Sequence, residues 1–210
     1  MRPWNNTSIA PNGNTVQENF QQWFAQSKIV DALARPLILY HGTFNHFDTF
    51  DTDMGYGDAD FIFFTPDAGE ALHFAQNRAD GICYEDDEIA AGPLIMPVYV
   101  SCENPFDYED MGHTQRLGEA LAGQVHNCTS EELIRQISQG NWMDLEKDHV
   151  QDAIKELGFD GFYAKERGHK NLAIYKPHQV KSALSNSGDY SLDTDSLTDQ
   201  PRHPTPNMKI

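Results

Sequence analysis

Positive charge is scarce in this chain. Across 210 residues there are 15 Lys and Arg against 32 Asp and Glu, a formal net charge of −17. A surface of that sign repels phosphate backbones and anionic membranes, so broad electrostatic binding to nucleic acid is disfavoured and only a local basic groove would permit it. Cysteine is also rare: Cys83, Cys102 and Cys128 lie far apart with no C-x-x-C spacing. That excludes a zinc knuckle and a disulfide framework, and a reducing compartment is expected. No apolar run approaches the roughly 18 residues of a membrane span. Residues 1–30 carry Asn, Gln and Pro instead of a basic start and an apolar stretch, so no signal peptide is expected. The dinucleotide motif G-x-G-x-x-G is missing after any apolar run, and Gly55-Tyr56-Gly57 sits in an acidic stretch that opposes phosphate. Metal ligation has little support. His46, His73, His169 and His178 have no i, i+4 partner, and the Asp48, Asp51, Asp53 series lacks the closing Glu of a calcium loop.

What is present suffices for one core: 39% hydrophobic residues, with 12 Phe, 8 Tyr and 3 Trp. Residues 1–15 and 189–210 are rich in Asn, Pro, Thr, Ser and Asp and are expected to be flexible, leaving a single domain over 16–188. Phe20, Trp23 and Phe24 recur at near-helical spacing after Val16. Strands are expected at 36–40, 61–65, 94–100, 161–164 and 172–175. Helices are expected at 67–77, where Pro66-Asp67 forms the start, and at 114–123, 130–138 and 146–156. Short strands with helices gathered at the edges predict an α+β fold, not a regular βαβ alternation.

The most informative stretch is Leu39-Tyr40-His41-Gly42-Thr43, followed by Phe61-Ile62-Phe63-Phe64-Thr65 and then a helix bearing Phe74. A His-Gly pair at a strand end sets an imidazole beside backbone that a flat ligand can approach closely, and the aromatic strand could stack on such a ligand. By periodicity alone, Phe63 and Phe74 read equally as core residues of a half-buried strand and a helix.

The order of these pieces, closing on Leu172-Ala173-Ile174-Tyr175-Lys176-Pro177-His178-Gln179-Val180, resembles the ADP-ribosyltransferase superfamily, in its diphtheria-toxin and poly(ADP-ribose) polymerase branch. Phe20 to Asp31, Asn104-Pro105-Phe106-Asp107 and Leu157 to Gly161 are similar to segments of the transferase domains of phage and prophage polyvalent proteins and toxin-like proteins. The resemblance covers about residues 18–190 and implies two small packed antiparallel or mixed sheets around a central NAD cleft, with peripheral helices. It also implies that NAD+ is a co-substrate, that no metal is used, and that the chain is a mono-ADP-ribosyltransferase acting in a bacterial cytoplasm. His41 would bond the nicotinamide ribose, Gly42 the carboxamide, and Phe63 and Phe74 would sandwich the ring. Tyr40 and Phe64 flank them, and Thr43 and Thr65 would be polar rim groups. The acceptor implied is a protein, with RNA or DNA open, no membrane, a possible neutralising partner and a monomeric state.

One position departs from the pattern. The catalytic Glu of the polymerase branch falls at Asn171, whose amide bonds a hydroxyl but cannot serve as a base. Glu166 is the first candidate substitute. Asp144, next to Glu146, is the second, and Asp160 also reads as a turn residue. Two rival readings follow: a catalytically inactive module that binds NAD or ADP-ribose, and a non-catalytic virion or excised toxin domain.

Overall fold

A computed structural model describes residues 2–51, 60–81, 92–122 and 129–199. The strands are β1 (Leu39–Thr43), β2 (Ile62–Phe64), β3 (Leu94–Val100), β4 (Pro105–Phe106), β5 (Gly161–Glu166), β6 (His169–Ile174) and β7 (Val180–Ser182). The helices are α1 (Val16–Phe24), α2 (Ala68–Gly81), α3 (Met111–Leu121), α4 (Ser130–Ile137), α5 (Trp142–Leu145) and α6 (Asp148–Glu156). One sheet is antiparallel in the order β1-β3-β7, and the other runs β2-β6-β5-β4 with β4 parallel to β5.

Alternation along the strands sorts the apolar residues into layers. Leu39, Val98, Val100 and Val180 from the first sheet meet Ile62, Phe64, Leu172 and Ile174 from the second in one buried cluster between the sheets. On its other face the second sheet presents Phe162, Ala164 and Ala173 to Leu117, Leu133, Leu145 and Ile154 of α3 to α6. Tyr99, on the far face of the first sheet, receives Phe20, Trp23 and Phe24 of α1. Each such side chain taken from water contributes about 1.5–3 kcal/mol. The α+β expectation with two small sheets holds.

Several boundaries differ from expectation, each for a local reason. β1 lies at Leu39–Thr43 instead of 36–40, because residues 39–43 are the ones that pair with β3, so His41-Gly42 is inside a strand. The helix expected over 146–156 is α6, which begins at Asp148, and a separate short helix, α5, precedes it. Asn141 caps α5 by accepting from Met143 N at 3.1 Å, and Lys147 is extended at φ −63, ψ 134, so the chain breaks between Leu145 and Asp148. β5 continues to Glu166, which is therefore in a strand and not in a loop. A two-residue turn joins β5 to β6, with Arg167 at φ 50 and Gly168 at φ 89. Asp160 is a clamp: it accepts from Cys102 Sγ, Glu103 N and Asn104 N at 3.0, 2.7 and 2.8 Å, fastening the start of β5 to the segment leaving β3.

The chain ends described here do not drape loosely. Trp4 meets Phe20 and Tyr99 with ring centroids 6.0 and 5.9 Å apart, and Ala10 is buried. Tyr190 and Leu197 are buried in turn, and the Lys181 ammonium holds residues 194–199 through two carbonyls and Asp199. Polar composition concealed a few well-placed apolar anchors and one buried cation. Residues 52–59, most of the acidic loop, lie outside the described residues, as do Cys83, Cys128 and residues 200–210.

Candidate active site

The two sheets touch at one backbone bridge, where Tyr40 N donates to Thr65 O at 2.8 Å and Thr65 N to Tyr40 O at 3.0 Å. Tyr40 stands opposite Pro97, which has no N–H, so its polar backbone is free to turn toward β2. By antiparallel alternation the N–H and C=O of Gly42 point the same way. Beyond the bridge β1 and β2 diverge, and His41 fills the gap: its Nδ1 donates to Phe63 O at 2.9 Å. A carbonyl only accepts, so Nδ1 carries a proton.

The bridge also makes one face continuous across both sheets. Register places Phe63 opposite Ala173, Ala173 opposite Phe162, Asn171 opposite Ala164 and His169 opposite Glu166. Residues directly opposite share a face, and each strand returns to that face every second residue. One row across the molecule therefore reads Gly42, Phe63, Ala173, Phe162. The next reads Tyr40, Thr65, Asn171, Ala164, and the last holds His169 and Glu166. Asn171 is 2% exposed, and its Oδ1 has no hydrogen-bond partner.

Helix α2 closes over the β1 end of this face, and α3 to α6 cover the end that carries Phe162, Ala164 and Ala173. A Cβ on Gly42 would lie 1.9 Å from the Ala71 carbonyl oxygen, so the missing side chain is what lets the helix rest on β1. Ala71 and Ala75, both fully buried, form the contact stripe. Glu70 and Phe74, i and i+4, share the adjoining stripe with His73. Asp67 caps the helix by accepting from Glu70 N at 2.9 Å. The Glu70 side chain does not return to the cap. It is 7% exposed, with Arg167 Nε 2.9 Å from its Oε1 and His169 Nε2 3.7 Å from its Oε2. The Arg167 contact is close enough for an ion pair but is not aligned as a hydrogen bond, which leaves Oε1 without one.

Two further carboxyls join this group. Glu146, in the break between α5 and α6, is pushed up to about 7, first by burial and then by the charge of Glu166. Glu166 is also raised, first by burial and then by the charge of Glu70, against opposing pulls from Arg167 and His73. Among the described residues no set of His, Cys, Asp or Glu could hold a metal ion.

The expected site residues divide accordingly. Gly42, Phe63, Asn171 and Glu166 share the continuous face, and Phe74 lies on α2 with its ring 6.2 Å from His73. Phe63 packs against Phe61 and Phe162 at 5.5 and 5.7 Å, so one edge of its ring is also core. His41 is on the opposite face at the divergence, its ring 4.9 Å from Phe50 and 5.7 Å from Phe64. Tyr40 contributes the bridge. Phe64, 1% exposed, belongs to the cluster between the sheets and not to the face expected to meet a ligand. Thr43 and Thr65 are buried and not rim groups: Thr43 Oγ1 accepts from Asn45 N at 3.3 Å, and Thr65 Oγ1 from Asp67 N at 3.3 Å. Asp144 is spent on Lys147 at 2.7 Å at the surface, and its neighbour Glu146 is the group that interacts with Glu166.

Glu70 and Arg167 escaped sequence reasoning. Asp67-x-x-Glu70 reads as a capping box, which assigns Glu70 a local duty it does not perform, and Arg167-Gly168 carries no Asn-Gly or Asp-Gly signature. A cavity of about 620 Å³ beside the β5–β6 turn is lined by Tyr108, Ser138, Asn141, Lys165 and Arg167, among others. A second, of about 260 Å³, lies by Leu39, Tyr163 and Lys170. Neither is lined by Gly42 or Asn171.

A family model described as ADP-ribosyltransferase in polyvalent proteins matches residues 31–190. No curated protein matches the chain, and no solved structure does.

Proposed function

The chain belongs to the ADP-ribosyltransferases of polyvalent proteins, and from that membership we propose that it moves ADP-ribose from NAD+ to a single site on a protein acceptor. The observation that carries the reading is the continuous face, where Gly42 and Phe63 stand in one row and the unpartnered Oδ1 of Asn171 in the next, with Phe74 on the helix that seats on Gly42. A buried acceptor with nothing to accept suits a ribose hydroxyl, because leaving it unmade costs about 1–3 kcal/mol. Phe63 and Phe74 stack on the cationic nicotinamide, favoured by the ring quadrupole. Gly42 N–H and C=O face the carboxamide. His41, on the opposite face, donates to Phe63 O and so positions the strand that carries the stacking ring.

In the reaction the bond from ribose C1′ to the nicotinamide nitrogen breaks and its electron pair neutralises the pyridinium. A lone pair of the acceptor then bonds to C1′, and the acceptor's proton passes to the Glu166 and Glu146 pair and on to water. Positive charge accumulates on the ribose between these events, and a cleft of carboxylates stabilises it. An acceptor made of protein fits a chain of net charge −17, since it demands no sustained contact with phosphates. Among the described residues no helix is long and apolar enough to cross a membrane. A bacterial cytoplasm and a phage or toxin-like setting complete the proposal.

Asn171 favours a second reading, a module that binds NAD+ without turning it over, because an amide keeps the hydroxyl contact and loses basicity. Incubating the chain with biotin-labelled NAD+ and bacterial lysate separates the two. Nicotinamide release with a protease-sensitive label supports the transferase, and NAD+ binding without release supports the module. His41→Ala is expected to raise KM and lower kcat together, by about tenfold overall, because the hydrogen bond that holds Phe63 O is lost. Normal turnover in that variant would remove His41 from the site.

The raised carboxyl gives a pH dependence. With Glu146 held near 7, kcat/KM is expected to climb with pH through about 7 and then level, and Glu146→Gln should remove that limb. Stability moves the other way. The folded value lies above the unfolded one of about 4.3, so the contribution is fully present below that pH and is lost as pH rises through 7. A flat rate profile from pH 5 to 9 would exclude Glu146 from proton transfer.

A further inference from the structure

We infer that Glu70 supplies the carboxylate that position 171 no longer carries, accepting a hydrogen bond from a hydroxyl of the nicotinamide ribose and facing the positive charge that develops there. The inference rests on the transferase reading above and adds a catalytic residue to it.

Three observations place Glu70 over Asn171. Ala71, the next residue, rests on Gly42 in the first row of the shared face. The Glu70 carboxylate lies 3.7 Å from His169 in the last row. Asn171 occupies the row between, about 7 Å along β6 from His169 at roughly 3.4 Å per residue. Glu70 thus spans from the strand that would hold the carboxamide to the turn beyond the ribose.

The hydrogen bonding agrees. Among the described residues, the buried side-chain atoms without a hydrogen-bond partner are Glu70 Oε1 and Asn171 Oδ1. Both are acceptors, they belong to the same region, and a ribose carries hydroxyl donors. Arg167 and His169 hold the carboxylate from one side and fix its position without aligning a hydrogen bond to Oε1. Arg167 adopts φ 50 in the β5–β6 turn, a conformation unusual for a side chain of its size, and so sets its guanidinium against Glu70. Arg167 is accordingly a positioning residue.

In the transfer step the C1′–nitrogen bond breaks with its pair going to nicotinamide, and Glu70 neither gains nor loses a covalent bond. Its negative charge offsets the positive charge on the ribose, while Glu166 and Glu146 take the acceptor's proton.

Wild type, Glu70→Gln and the double variant Glu70→Gln/Asn171→Glu are compared for nicotinamide release, NAD+ affinity by calorimetry, and thermal unfolding. Loss of one preorganised electrostatic group predicts a fall in kcat of on the order of 100-fold in Glu70→Gln, with NAD+ affinity within about threefold. A carboxylate returned from β6 should restore at least about tenfold of that loss, which a merely structural anchor for Arg167 would not permit. Unchanged turnover in Glu70→Gln overturns the inference and leaves the transferase reading intact. So does a loss that the Glu at position 171 fails to restore. Absence of nicotinamide release from the wild-type chain overturns both, and is distinguished because it is seen before any variant is made.

Discussion

Gly42→Ala is expected to abolish nicotinamide release and to destabilise the chain. The added methyl would sit 1.9 Å from the Ala71 carbonyl oxygen, 2.8 Å from its carbonyl carbon and 3.0 Å from Ala75 N. These are backbone atoms of a helix, so no side chain can rotate away, and α2 must lift from β1. Overpacking of this kind costs about 1–3 kcal/mol, and a rigid obstacle places this case at the upper end, a fall in Tm of roughly 5–10 °C. The functional effect is larger. Glu70 and Phe74 ride on α2, and a displacement of about 1 Å at a reacting centre can reduce a rate by about 100-fold. Turnover and Tm equal to wild type would show that α2 does not seat on Gly42. A variant that stays folded but loses turnover would instead separate the role of the site from that of the fold.

Lys181→Met is the second large effect, and it concerns stability alone. The Lys181 side chain is 0% exposed, and its Nζ donates to Thr194 O, Ser196 O and Asp199 Oδ1 at 3.0, 2.8 and 2.7 Å. Every proton of the ammonium is used, which is what makes a buried cation tolerable. Removing it leaves the 3% exposed Asp199 carboxylate without its counter-charge, held through Oδ2 by Asn186 Nδ2 and Ser191 N. Breaking a buried pair from one side costs about 3–5 kcal/mol, a Tm fall on the order of 10 °C in a chain of this size. Protease cleavage within 190–199 should appear at the same time. Lys181→Met/Asp199→Leu should recover part of the loss, since removing both charges leaves neither unpaired. An unchanged Tm in the single variant would mean that the C-terminal segment is held by Tyr190 and Leu197 instead.

Much of the fold was legible because its signals are local. The stripe of Phe20, Trp23 and Phe24, the apolar run of β3, and Pro66-Asp67 ahead of α2 each report on their own segment. The misplacements came where a neighbour overrode local preference. β1 shifted toward Thr43 because β3 pairs with it there, and Glu166 joined a strand because Arg167 accepts a strained turn that ends on Glu70. Thr43 and Thr65 looked like surface hydroxyls and are buried, because each bonds the backbone two residues on. Polar ends looked mobile, although one buried Lys181 and a few aromatics anchor them.

Family membership, the α+β class, and the positions of His41, Gly42, Phe63, Phe74 and Asn171 are properties of residue order, which survives without any knowledge of contacts. Which carboxylates come together is not. Glu70, Glu146 and Glu166 come from a helix, a helix break and a strand end far apart in the chain, and their proximity raises Glu146 and Glu166 only after burial has removed water from around them. Sequence determined the chemical kinds available to this protein. Tertiary structure alone decided which of them share a face, because that depends on one backbone bridge between two sheets and on a helix that can approach only where glycine has no side chain.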